Sequence, residues 1–421
     1  MRWQRSDDQN ETVQAAEPPS ASEPTTTIAT ADDAIEAARA YADAIVDGAS
    51  DRDRAGSIPS GELALLARSG LLGITVPRAY GGPELEPTTV AEVFRTIAAV
   101  DPSVAQVPQG HFQFVDVLRL LGTDGQQQRL LGEIVAGSRI GSALAERGTK
   151  HPGDLRTRLS RDPGGGLRLS GTKYYCTGAL TAQWIAVNAT GEQEKPVLAF
   201  VGREDEGVSV LEDWSAIGQR ATASGTAQFD AAPVDPSLVV PYWRAFEGPQ
   251  QLGARAQLLH AAIEVGIAGG ALHDARDFMR MHARPFLETV RAGWTEKATE
   301  DPHTLVRYGR LATQVQAAEA LLAWAAGELT EIGLRPHDAH AAARGSLAAA
   351  KAKAFGSETA VTVASELFAL SGASAADARH GLDRHWRNAR THSIHDPVDW
   401  KYHHIAAYDV TGTLPPSHGQ L

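Results

Sequence analysis

The chain has 421 residues, 43% of them hydrophobic and 21% charged, and a net charge of −12 spread along its length. That length predicts two or three domains, and the composition is that of a globular protein rather than a disordered one. An acidic excess without clustered Lys and Arg excludes nucleic acid or an anionic membrane surface as the main partner. The single cysteine, Cys176, excludes a disulfide framework or a cysteine-based metal site within the chain.

Residues 1–30, rich in Ser, Thr, Pro and acidic residues, lack the apolar core of a signal peptide and read as a disordered tail. No run reaches the roughly 20 apolar residues of a membrane span, so the expected compartment is the cytoplasm. Helices are predicted over Ala31 to Gly48 and Gly61 to Ser69, the second stopped by Gly70. An irregular turn follows at Pro77 and the paired glycines Gly81 and Gly82, and helical spacing then returns from Thr88 to about Ala136. The pattern changes near Ile140. Strands are predicted over Leu167 to Thr177, Trp184 to Ala189, Lys195 to Val201, Gly207 to Leu211 and Thr226 to Phe229, the spacing of a small barrel or sandwich. From about Gln250 the chain is helical again, with a bundle seam at Tyr308, Leu311, Val315, Ala318, Leu322, Ala325 and Leu329. The expected fold is therefore α+β and multidomain: a helical domain over 31–138, a β domain over 139–244 and a helical bundle over 245–421.

Gly164-Gly165-Gly166 sits between two strands and reads as a turn, so no dinucleotide-binding loop of the strand–glycine–helix kind is visible. Six of the 15 histidines fall between His380 and His404. His392 and His395 have a spacing open to two metal ligands, but no third ligand on that face is evident, and metal is not the expected reading.

Several strings, in order, resemble the acyl-CoA dehydrogenase superfamily: GITVPRAYGG, SALAERGTK, GTKYYCTGA and GQRATASGTAQF, across about residues 60 to 410. The ending LDRHWRNARTHSIHDPVDWKYHHIAAY resembles one branch of it, the flavin-dependent monooxygenases of the dibenzothiophene and sulfur-acquisition type. The resemblance implies a homotetramer of three-domain subunits ending in a four-helix bundle, fed with reduced flavin by a separate reductase. It also implies that dioxygen adds to give a hydroperoxyflavin, which oxygenates a small molecule, here an organosulfur compound. The string FALSG replaces the glutamine and first glycine with which the dehydrogenases hold the adenine of FAD, so FMN is expected, with FAD as the alternative.

The candidate residues follow from that alignment and from their own chemistry. In the dehydrogenases the catalytic glutamate falls on Asp396, but aspartate is shorter, and Pro397 makes it read as the N-cap of a following helix. His395 and His392, sharing a face near a helix C-terminus that favours imidazolium, then become the proton-handling candidates. Against this stands a buried histidine tied to a carbonyl. His111, between Phe112 and Phe114, either faces the substrate side or belongs to the core. For the flavin, the resemblance selects Thr177, Tyr175 and Glu146, with Arg284 and Phe286 meeting its phosphate from a neighbouring subunit; Arg284 could equally be an exposed helix arginine. The alternative for Thr177 is a β-branched residue that merely suits a strand. Three readings stay open beside the main one: an acyl-CoA dehydrogenase with Asp396 as base, an amine or aromatic hydroxylase, and a ligand-binding relic without turnover.

Overall fold

A computed structural model describes residues 26–151 and 153–419. Seven helices come first: α1 Ala31–Ile45, α2 Ala49–Ala55, α3 Ser60–Arg68, α4 Pro87–Val100, α5 Pro102–Gln106, α6 Gln109–Leu121 and α7 Asp124–Val135. Eight strands follow: β1 Ile140–Ala143, β2 Arg158–Arg161, β3 Leu167–Lys173, β4 Trp184–Thr190, β5 Pro196–Gly202, β6 Val208–Leu211, β7 Thr226–Val234 and β8 Val239–Val240. Six more helices complete the chain: α8 Leu252–Met281, α9 Leu287–Arg291, α10 Pro302–Ile332, α11 Ala339–Ser371, α12 Asp383–Ser393 and α13 Val398–Thr411. Among the described residues no helix is long and apolar enough to cross a membrane.

Helix starts are set by local chemistry. Thr30 and Asp33 form a reciprocal capping box at α1, and α4 and α10 begin on a proline, whose missing N–H costs nothing there. Most of the expected tail, 1–30, lies outside the described residues. Its last part does not hang free, because Thr26 donates its N–H to Arg68 O at 2.9 Å and Ile28 is buried.

The strands form one sheet in the order β6-β7-β3-β2-β4-β5-β8, with β1 also pairing with β4. β2 and β3 are joined by a turn over Asp162 to Gly166, where the predicted glycines supply the flexibility. The strand expected to run to Thr177 ends at Lys173. Tyr175 then takes a positive φ of 57°, which turns the chain out of the pleat and leaves Thr177 on a loop. One face of the sheet packs Ala186, Leu198 and Phe200 against Phe114, Leu118 and Leu130 of α6 and α7. The other face closes on itself around Leu169, Ile185, Val187 and Phe229.

The third core lies between α4, α8, α10 and α11. α8 is apolar nearly all round and buried along most of its length, as a central helix must be. It sits hard against α4: a Cβ added at Gly270 would lie 2.1 Å from Ala99 O. The alanines of α11 allow the same close approach on the opposite side of α8. The predicted seam on α10 is buried from Leu311 to Leu329.

Candidate active site

Two buried helices bring charged side chains to one point beneath the end of α12. Glu264 and His260 lie one turn apart on α8, and Lys353 and Ser357 one turn apart on α11. Glu264 and Lys353 are both wholly buried, with Nζ 2.7 Å from Oε1; the Ser357 hydroxyl donates to Oε2 at 2.6 Å. Above them, His260 Nδ1 and His392 Nε2 are 2.9 Å apart. His392 Nδ1 faces Glu264 Oε1 at 3.6 Å and has no hydrogen-bond partner. Burial, followed by nearby cationic and imidazole groups, pushes both rings well below the ordinary histidine value, so both are neutral.

His395 closes the cluster from outside. Its ring packs against that of His260, tilted by 33° with centroids 4.2 Å apart, and its side chain remains 45% exposed. The two histidines do not share a helix face as expected: α12 ends at Ser393, and the backbone bond from His395 N to His392 O folds the chain back. The imidazolium expected of His392 at this helix end is likewise absent, because desolvation outweighs the helix dipole.

Asp396 does not cap the next helix. α13 starts at Val398 with Pro397 in the cap position and no side-chain cap bond. The Asp396 carboxylate instead lies 2.7 Å from Lys401 Nζ and 3.1 Å from His395 Nδ1. Although burial pushes its carboxyl up, the bond to His395 and the charges of Lys353 and Lys401 hold it well below the usual carboxylate range. It is therefore an anion that orients His395.

A second group of polar side chains reaches α12 from the loops of the sheet domain. The Thr177 hydroxyl is 3.3 Å from that of Ser224, which is 2.8 Å from Thr222, whose hydroxyl donates to Gln219 O at 3.1 Å. Gln219 N then donates to Asn388 Oδ1 on α12 at 2.5 Å. Gly218 permits this contact, since a Cβ there would lie 2.1 Å from Arg387 O. Gln219 is buried, and neither atom of its side-chain amide has a partner.

Family models for the N-terminal and C-terminal domains of acyl-CoA dehydrogenase match residues 30–138 and 258–400. The chain is 33% identical to a dibenzothiophene monooxygenase of Rhodococcus erythropolis, over 91% of this chain and 94% of that one. It belongs to the acyl-CoA dehydrogenase family, in its flavin-dependent monooxygenase branch. A probable FMNH2-dependent monooxygenase, SfnC of Pseudomonas putida, is 31% identical over 91% of this chain and 96% of its own. The crystal structure of FMN-bound TdsC from Paenibacillus sp. A11-2 superposes with a TM-score of 0.87 at 30% identity, covering 92% of this chain and all of that one.

The other residues singled out for the family's flavin have varied surroundings. Tyr175 is about half exposed, with its ring against Trp214 and the Arg147 guanidinium. The Glu146 side chain is already taken: it accepts from Arg156 N, Thr157 N and Lys173 Nζ at 2.8, 3.0 and 2.7 Å. Burial pushes its carboxyl up, but those bonds, with Lys173 foremost, lower it to about 2. Arg284 and Phe286 are exposed on the segment between α8 and α9. Phe286 lines a cavity of about 650 Å³ with Trp294 and Arg307, and no histidine of the cluster reaches it.

Of the two positions open to His111, the structure gives it the one in the core. It is fully buried, with Nε2 3.0 Å from Leu72 O and Nδ1 accepting from Ile140 N at 3.2 Å. Both ring nitrogens are spent on backbone groups, pinning the helical domain to β1. Burial lowers its value to about 4. A depressed histidine stabilises the fold fully above its unfolded value near 6.5, and loses that contribution as pH falls toward 4. The expected outcome is a stability that declines by up to about 1.4 kcal/mol per pH unit through that window. His111→Gln should flatten this slope in thermal melts taken across it, and an unchanged slope would rule the assignment out.

His260, Glu264, Lys353, Ser224 and Gln219 were not expected from the sequence. For the three on helices, the available signal was a pair of charged or polar residues one turn apart within a largely apolar stretch of each helix, HAAIE in α8 and KAFGS in α11.

Proposed function

We propose that the protein is a two-component monooxygenase that uses reduced FMN and dioxygen to oxygenate a small organosulfur compound. The observation that carries this reading is His395, a half-exposed ring oriented by a buried anion just beyond α12, the helix on which Asn388 receives the polar chain that starts at Thr177. The residues fit a flavin there. Thr177 and Ser224 offer hydroxyls to its polar edge, the unpartnered Gln219 amide lacks a bond that such a ligand would supply, and Tyr175 offers a ring face. Reduced FMN supplies the electrons that activate dioxygen. Asp396 accepts a hydrogen bond from His395 Nδ1–H, leaving Nε2 to pass a proton to the oxygen atom that ends as water. The buried neutral rings behind it exclude water without adding charge.

The relatives named above support FMN over FAD, and the name of the Rhodococcus enzyme supports an aromatic organosulfur substrate. A separate flavin reductase, a homotetramer in which Arg284 and Phe286 reach a neighbour's cofactor, and a cytoplasmic location belong to the same proposal.

The test is turnover with FMN, a flavin reductase and a panel of sulfides, sulfoxides, sulfones and amines, read by mass spectrometry under isotopically heavy dioxygen. The expected result is a sulfur compound that gains one heavy oxygen atom. Bleaching of bound oxidised flavin by acyl-CoA thioesters, with no oxygen incorporated from any of the panel, would replace this reading with that of a dehydrogenase.

A further inference from the structure

The buried assembly beneath His392 does more than fill the bundle. Glu264 and Lys353 come from the two most closely packed helices, and neither has any exposed surface. A carboxylate can only accept hydrogen bonds, so the polar atom facing it should carry a proton. The atom facing Glu264 Oε1 is His392 Nδ1, buried and otherwise without a partner.

We propose that Glu264, held by Lys353 and Ser357, is a positioning residue that fixes the tautomers of the His392–His260 pair. With its proton on Nδ1, a neutral His392 presents Nε2 as a bare acceptor. The neighbouring atom is His260 Nδ1 at 2.9 Å, which must then be the donor. His260 is left with a bare Nε2, so both rings carry their proton on Nδ1 and all the donors point one way, from the ring under His395 down to Glu264. The groups that face the pair are Glu264 on α8, Lys353 on α11, His395 and Asp396 beyond α12, and Lys401 on α13. Of these, Glu264 is the one that can receive the His392 Nδ1 proton, since Asp396 is engaged by His395 and Lys401. The consequence for turnover rests on the monooxygenase reading: the ring packed against His395 is held neutral as a hydrogen-bond acceptor, so it does not compete with His395 as a donor.

Tautomers can be read directly on the resting protein. The full chain is labelled in its histidine rings with the heavy nitrogen isotope and examined by solid-state NMR at neutral pH, with His260→Gln and His392→Gln to assign the two rings. The expected spectrum has Nδ1 protonated and Nε2 bare in both. A protonated Nε2 on either ring of the unaltered protein overturns the proposal. In the paired variant Glu264→Leu with Lys353→Leu the directing acceptor is gone, and at least one ring should move to the Nε2-protonated form. Unchanged tautomers there would assign the ordering to something other than Glu264. Neither arm involves turnover, so absence of oxygenation would count against the function proposed above and leave this result standing.

Discussion

His395→Ala should lower the rate of substrate oxygenation by about 10²–10⁴-fold, the usual contribution of a positioned acid–base group. Three imidazoles meet at this site, but two are unsuited to proton exchange with a substrate. His260 and His392 are buried, neutral and hydrogen-bonded to each other. His395 alone is half exposed, and the Asp396 carboxylate 3.1 Å from its Nδ1 fixes which nitrogen points away. The expected signature is uncoupling: reduced flavin and dioxygen are still consumed, hydrogen peroxide is released, and product disappears. Asp396→Asn should give a smaller loss of the same kind, because the ring is kept but its orienting charge is lost. A His395→Ala enzyme that oxygenates at the unaltered rate would remove His395 from the chemistry. Peroxide and product measured in the same assay separate this from a failure to bind flavin, which would abolish both.

The fold was largely legible because its helices carry one-sided apolar spacing and local stop signals. The α10 seam is the clearest instance, read from Leu311, Val315, Ala318 and Leu322, all of which are buried. β2 escaped because its sequence, Arg-Leu-Ser-Arg, buries only Leu159 and so lacks the alternation on which strand recognition depends. The segment His392 to Asp396 was singled out through family resemblance, but the partners of Asp396 were not legible. Pro397 correctly announced a helix start, yet as the cap itself. Lys401, a turn into that helix, then took the carboxylate that backbone amides were expected to hold. His111 was ambiguous for a related reason: flanking phenylalanines describe a core position as well as a substrate wall, and its bonds to Leu72 and Ile140 appear only in the folded chain. Glu264 and Lys353 were invisible because a charged residue in an Ala-rich helix reads as a solvated one until a second helix is known to cover it.

That buried pair carries the largest expected effect on stability. Lys353→Met should destabilise the protein by about 3–5 kcal/mol, the cost of leaving one partner of a fully buried ion pair uncompensated. Burial already pushes the Glu264 carboxyl up, and the charge of Lys353 is the strongest influence opposing it. Without the ammonium, Glu264 folds most readily in its protonated form, so folding takes up a proton. A carboxyl whose folded value lies above its unfolded one loses stability as pH rises. The gap in melting temperature between Lys353→Met and the unaltered protein should therefore widen from mildly acidic to alkaline pH, at a rate equivalent to about 1.4 kcal/mol per unit. Replacing Glu264 and Lys353 together by leucine removes both charges and should recover most of the loss, since apolar packing commonly equals a buried pair in stability. Ser357 keeps its own helix for a partner, as a hydroxyl on α11 can turn back to a carbonyl one turn earlier. A double variant less stable than Lys353→Met, or a gap that narrows as pH rises, would mean that the pair is not held as opposite charges in the folded protein.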